Sequence, residues 1–159
     1  MDFSAKQSSD WGMLPSWLKG VSNGGDHSPQ AVFQPSFVRA MAQGVLSEDS
    51  VARTADLVSS HSCFATARNL LDLGGGHGLF PLALQKKKPD LRITVFDLPQ
   101  VKEVTEEYAA AFGGEVHFQG GNFYEDELPA NQDIVLAFDI LHPVPPSRKE
   151  EVFRKVYGA

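Results

Sequence analysis

From residue 68 onward the chain alternates two kinds of apolar pattern. Short runs bounded by turn formers read as strands: Asn69-Leu70-Leu71-Asp72-Leu73, Ile93-Thr94-Val95-Phe96-Asp97, Val116-His117-Phe118 and Asp133-Ile134-Val135-Leu136-Ala137. Between them, residues 80–87 and 101–112 repeat their apolar positions at helical spacing. Ser147 followed three residues later by Glu150 forms a capping box that predicts the start of a last helix. Strands alternating with helices predict right-handed βαβ units, and so an α/β fold with a parallel sheet and helices on both faces. Val152, Phe153, Val156 and Tyr157 are still periodic when the sequence stops at Ala159, so the core is expected to be incomplete at its C-terminal side.

Upstream the pattern is weaker. Residues 1–35 are rich in Gly, Ser and Pro around one apolar patch at Trp11, Leu14, Trp17 and Leu18, which predicts a short helix near Trp17 and then loop. Ser36 is placed to cap a helix containing Phe37, Ala40 and Met41 that ends near Gly44, and Ser47 to cap another carrying Val51, Ala55 and Val58. The expected organisation is an N-terminal loop and short helix over 1–35, followed by one core over 36–159.

Composition narrows the class of partner. With 159 residues, 42% of them hydrophobic and 21% charged, the chain can build one globular core but not two full domains. Fourteen Lys and Arg against twenty Asp and Glu give a net charge of −6 without a basic face, which argues against nucleic acid. Cys63 is the single cysteine, no apolar run reaches the roughly 18 residues of a membrane span, and the N-terminus lacks the order of a signal peptide. A cytoplasmic protein that engages neither nucleic acid nor membrane is the expectation. Lys86, Lys87 and Lys88 fall in a last helical turn before Pro89, where cations complement the helix dipole.

The first expected strand runs straight into Gly74-Gly75-Gly76-His77-Gly78. Glycines at a strand-to-helix turn let a ligand approach the backbone, and the helix N-terminus behind them presents unpaired N–H groups. Their spacing is G-x-G-x-G. The dinucleotide fingerprint G-x-G-x-x-G would require glycine at 79, where Leu79 stands, so the turn favours S-adenosylmethionine over NAD. Asp97 ends the next strand at a distance suited to accepting hydrogen bonds from both ribose hydroxyls. A structural glycine turn and a strand-end cap are the plain alternatives for these two features taken singly. His77 is read as pointing to solvent or into the cleft beside the turn. No ligand spacing joins His27, His61, His77, His117, His142 and Cys63, so no metal site is expected.

Four segments together resemble a family. Leu71-Asp72-Leu73-Gly74-Gly75-Gly76-His77-Gly78, Val95-Phe96-Asp97-Leu98-Pro99-Gln100-Val101, Gly120-Gly121-Asn122-Phe123 and Ile140-Leu141-His142 are similar, in this order, to the small-molecule O-methyltransferases of the caffeate and acetylserotonin type. The resemblance spans roughly residues 36–159 and implies a Rossmann-like, class I methyltransferase core. It implies that Gly74 and Gly76 lie against the methionine part of the cofactor, that Asp72 is the acidic cofactor-site residue that opens the motif, that Asp97 binds ribose, and that Leu98, Asn122 and Phe123 surround adenine. It further implies that Phe37 and Met41 contribute to the pocket for a small methyl acceptor, and that His142 is the general base. A neutral imidazole taking the proton of a phenol, whose pKa is near 10, contributes about 10² to 10⁴ in rate.

The chain departs from that pattern in three places. Pro143 stands where the family usually has Asp, Gly121 where it has Asp in the adenine loop, and Phe138 where it has a basic residue. Such enzymes also carry an N-terminal dimerisation domain before this segment and three more strands after it, which implies a homo-oligomer or partner segments and an exposed fourth strand. The leading expectation is an S-adenosylmethionine-dependent methyltransferase acting on the hydroxyl of a small aromatic acceptor. The alternative is a non-catalytic, truncated or degenerate fragment that binds cofactor or a partner chain. A nicotinamide oxidoreductase is disfavoured by Leu79 and by the lack of a Tyr-x-x-x-Lys pair.

Overall fold

The computed structural model describes residues 29–141 and 144–159. The helix expected near Trp17 lies outside the described residues. A short helix, α1 (Pro29–Val32), stands where loop was expected, and α2 (Pro35–Ser47) and α3 (Ser50–Ser59) follow it. Then come β1 (Asn69–Leu73), α4 (Leu79–Lys87), β2 (Arg92–Asp97), α5 (Lys102–Phe112), β3 (His117–Gly120), β4 (Ile134–Leu136) and α6 (Pro146–Gly158). Single 3₁₀ turns occupy Ser62–Ala65 and Pro99–Val101.

The four strands form one sheet in the order β3-β2-β1-β4. Every pairing is parallel, with Leu70 opposite Ile93 and Ile134, and Val95 opposite Phe118. Neighbouring residues of a strand face opposite sides of the sheet, and the core divides accordingly. Leu70 and Leu136 pack with Ala55 of α3, Leu84 of α4, and Phe64 and Leu91. Leu71, Leu73 and Phe96 pack on the other face with Val156 of α6 and with Ala159. A third cluster joins Val38 and Ala42 of α2 to Leu79, Leu82, Val101, Val104 and Tyr108, so α2 sits against α4 and α5. Helices therefore cover both faces, as the alternating pattern predicts.

Three helix starts differ from the sequence reading. Ser36 lies inside the first turn of α2, behind Gln34 and Pro35; Ser47 is the last residue of α2, and its hydroxyl donates back to the Gly44 carbonyl at 2.7 Å. Ser147 lies behind Pro146 in α6, with no side-chain cap at that start. In both proline cases the fixed φ, with no N–H to satisfy, sets the first helical residue, and the serine is displaced inward. Gly44 sits within α2 rather than at its end.

The lysines at the end of α4 do more than face a dipole. Lys87 pairs with Asp56 of α3 at 2.7 Å, Lys88 donates to the Ala65 carbonyl at 3.2 Å, and Lys86 lies over the Phe112 ring. No helix among the described residues is long and apolar enough to cross a membrane.

Candidate functional site at the carboxyl ends of the strands

The glycine turn leaves the carboxyl end of β1, the strand flanked by β2 on one side and β4 on the other. Ligands of open α/β sheets bind at such a switch point. The turn folds tightly: Gly74 donates its N–H to the Phe96 carbonyl at 2.8 Å, and Gly78 to the Gly75 carbonyl at 2.9 Å. Gly74, Gly76 and Gly78 all have positive φ, which side chains with a Cβ adopt only with strain. Gly75 lies directly over the Asp72 carboxylate and Gly74 against the Ile140 side chain, so neither position has room for a Cβ.

Asp97 closes on this turn from the end of β2. Its Oδ2 accepts the Gly76 N–H at 2.8 Å and its Oδ1 accepts the Leu98 N–H at 2.6 Å. Burial pushes the Asp97 carboxyl above the ordinary range, against the lowering pull of those two N–H donors. Asp72 is buried beneath the turn and its Oδ2 has no hydrogen-bond partner. Burial, and then the nearby charge of Asp97, pushes the Asp72 carboxyl up to about 7. A buried carboxylate oxygen with nothing to accept is costly unless a ligand supplies the donor.

The loop that carries Asn122 and Phe123 follows β3. Asn122 is occupied locally: its N–H donates to Asp126 Oδ2 at 2.8 Å and its Oδ1 accepts the Tyr124 N–H at 3.1 Å. Phe123 packs against the Leu71, Leu73 and Phe96 cluster and lies 4.4 Å from the Tyr124 ring, centre to centre. A Cβ at Gly121 would approach the Phe96 ring to 2.5 Å and Asp126 Oδ2 to 3.1 Å. The space a side chain at 121 would enter is thus taken by Phe96 and Asp126. Lys155 of α6 grips this loop, donating to the carbonyls of Phe123, Tyr124 and Asp126 at 3.2 Å each.

Asp72, Gly74, Gly76, Asp97 and Leu98 converge at the ends of β1 and β2, and the pairing of Asp97 with Gly120 brings Asn122 and Phe123 beside them. Leu98 packs against the cluster that contains Val38 and Leu79. Val38 of α2 also touches Gly76, 3.3 Å from where a Cβ there would stand, which draws α2 over the turn. Phe37 and Met41 lie on a different face of α2 and remain 43% and 39% exposed. His142 and Pro143 lie outside the described residues.

His77 corrects the sequence reading. It is 6% exposed, its Nδ1 accepts the Leu79 N–H at 3.2 Å, and the Phe80 and Tyr108 rings flank it at 5.9 and 6.3 Å. Burial pushes its pKa down to about 4, so the ring is neutral and caps the start of α4 from within. Sequence reasoning also missed Thr105, fully buried, whose Oγ1 donates to the Gly76 carbonyl at 2.6 Å. The available signal was a polar residue on the apolar stripe of Val101, Val104 and Tyr108.

Residues 27–159 match the family model of the O-methyltransferase domain. The chain is 32% identical over 124 residues to demethylspheroidene O-methyltransferase of Rhodobacter capsulatus, covering 78% of this chain and 28% of that protein. It is 34% identical over 99 residues to acetylserotonin O-methyltransferase 1 of Oryza sativa, covering 62% of this chain and 25% of that one. The crystal structure of a putative O-methyltransferase from Nostoc punctiforme superposes with a TM-score of 0.76 at 27% identity, over 92% of this chain and 44% of that one. The chain thus spans less than half the length of each of these proteins.

Proposed function

The chain belongs to the O-methyltransferase domain family, and we propose that it holds S-adenosylmethionine and serves methyl transfer to a hydroxyl of a small aromatic acceptor. The observation that carries this reading is the 74–78 turn at the switch point, with the Asp97 carboxylate already bonded to its Gly76 N–H. Each carboxylate oxygen of Asp97 accepts one backbone bond and keeps a lone pair for a ribose hydroxyl. The buried, unpartnered Asp72 Oδ2 beneath the turn suits a ligand that brings positive charge to the turn, as S-adenosylmethionine does. These carboxylate acceptors therefore fit this cofactor, which when bound supplies a methyl group on a positively charged sulfur.

In this reading Gly74 and Gly76 hold the methionine part with Asp72 beneath them as the acidic residue that opens the turn, Asp97 holds the ribose, and Leu98, Asn122 and Phe123 the adenine. Phe37 and Met41 offer exposed apolar surface on α2 for an aromatic acceptor. His142 follows β4 in sequence and takes the proton from the acceptor hydroxyl, so that its oxygen becomes the nucleophile. Alignment of the acceptor supplies much of the remaining rate enhancement.

Calorimetric titration of the full chain with S-adenosylmethionine, S-adenosylhomocysteine and NAD tests the reading. Binding of the first two without the third supports it, and binding of NAD alone overturns it. A second reading, a non-catalytic module that binds cofactor or a partner chain, draws on one observation. Among the described residues β4 pairs only with β1, which leaves its other edge open to another strand. Turnover of phenols by a cofactor-binding chain separates the two.

A further inference from the structure

Gly76 is held from two directions. Its N–H goes to Asp97 at 2.8 Å, and its carbonyl receives the Thr105 hydroxyl at 2.6 Å. A threonine inside a helix commonly returns its hydroxyl to the carbonyl four residues back. Thr105, in the first turns of α5, instead spends its one proton across the fold, on a residue 29 positions away. Its methyl group lies 3.4 Å from where a Cβ on Gly78 would stand, so the side chain touches the turn at two places. Thr105 is also fully buried and has no surface to offer a ligand. The two holds on Gly76 therefore differ: Asp97 is exposed enough to be shared with a ligand, and Thr105 is not.

We propose that Thr105 is a positioning residue for the cofactor turn, its hydroxyl fixing the Gly76 carbonyl so that the turn keeps its shape when Asp97 engages ribose. This inference rests on the reading of the turn as an S-adenosylmethionine site. Removing the hydroxyl takes the donor from the Gly76 carbonyl, which frees the turn locally although the buried Thr105 itself touches no cofactor.

Two substitutions in the full chain separate the hydroxyl from the methyl. Thr105→Val keeps the shape and loses the donor; Thr105→Ser keeps the donor and loses the methyl. Amide exchange of residues 74–78, measured against the amides of β1 and β2, is expected to speed up about tenfold in Thr105→Val, with the dissociation constant for S-adenosylmethionine rising about tenfold. Thr105→Ser is expected to stay within about threefold of the wild type on both measures. Should the valine variant fold poorly, Thr105→Ala takes its place against Thr105→Ser. Exchange in Thr105→Val equal to the wild type, or a serine variant as impaired as the valine one, overturns the inference, because packing alone would then account for Thr105. If the wild type binds no S-adenosylmethionine, the cofactor reading falls, while the exchange rates still decide the role of Thr105.

Discussion

Along β1, Leu70, Leu71, Asp72 and Leu73 are all buried and the strand is paired on both sides, whereas β4 has three residues of which only Leu136 is buried, and it is paired on one side. The contrast continues past the strands. The turn after β1 is fixed by Phe96, Asp97 and Thr105 through backbone and buried groups. Beyond β4, Phe138 is exposed and α6 turns Phe153 and Tyr157 to solvent, Tyr157 being 92% exposed. The region expected to bind cofactor thus meets its own polar and apolar requirements, apart from one carboxylate oxygen on Asp72. The region after β4 leaves an apolar helix stripe and a strand edge uncovered among the described residues. The two regions therefore differ in how completely they are packed, and substitutions in them should behave differently.

The largest difference should appear in stability. Leu71→Ala empties a site with no exposure in a strand paired on both sides, and is expected to cost about 2 to 5 kcal/mol. Tyr157→Ala should stay within about 0.5 kcal/mol. Denaturant midpoints at constant slope measure both. Equal losses would mean that Tyr157 is covered in solution, and the contrast would fail.

A second test uses pH. Asp72 has a folded pKa raised by burial to about 7, so its contribution to stability is fully present below about pH 4 and is lost as pH rises through 7. His77 has a folded pKa lowered by burial to about 4, so its contribution is present above about pH 6.5 and is lost as pH falls through 4. Between about pH 4 and 6.5 the folded state keeps the proton on Asp72 and the unfolded state keeps it on His77, and the two slopes nearly cancel. Asp72→Asn removes one of them. Relative to the wild type, its stability should rise by roughly 3 kcal/mol from pH 4 to 6.5. His77→Gln should show the opposite trend. Variant profiles parallel to that of the wild type would place both groups in water.

Cofactor affinity gives a third, smaller contrast. Asp97→Ala is expected to weaken S-adenosylmethionine binding by about 1 to 3 kcal/mol, the range for lost hydrogen bonds to a charged group. Phe153→Ala, on the exposed face of α6, should leave that affinity unchanged. An unchanged dissociation constant in Asp97→Ala would make Asp97 a turn residue only.

Most of the sheet was legible because β1, β2 and β4 are short apolar runs and the crossovers through α4 and α5 are helical repeats; β3 carries one large apolar residue, Phe118, and no helix joins it to β4. The 74–78 turn was legible because glycine spacing is a local signal. What escaped was settled by partners distant in sequence. Ser36 and Ser147 look like caps until one sees that Pro35 and Pro146 fix the first helical residue, each preceded by an extended residue with ψ of 157° and 141°. Ser47 fails for another reason, since α3 begins after Asp49, whose φ is +56°. His77 is enclosed by Phe80 from its own helix and Tyr108 from another, which spacing around position 77 does not reveal. Thr105 reads as an ordinary helical residue unless its place on the buried stripe is noticed.

The smallest expected effect lies where the two regions meet, at Lys155. Its ammonium donates to three carbonyls of the loop after β3, and Arg148 of the same helix lies 4.4 Å over the Tyr124 ring. This is the strongest polar link from α6 to the proposed adenine side, yet each of its three bonds measures 3.2 Å. Charge-assisted N–H···O bonds are usually shorter, about 2.7 to 2.9 Å. The group is only partly buried, so water can replace it at little cost. Lys155→Met keeps the aliphatic stem and removes the charge, and is expected to cost about 1 kcal/mol of stability, less at high salt because partly exposed charges are screened. Its effect on the S-adenosylmethionine dissociation constant should be under about threefold, smaller than that of Thr105→Val. Affinities measured at low and high salt decide the matter. A tenfold loss that salt does not diminish would show that α6 organises the cofactor site as strongly as α5 does, and the division between the two regions would then have to be drawn on the far side of α6.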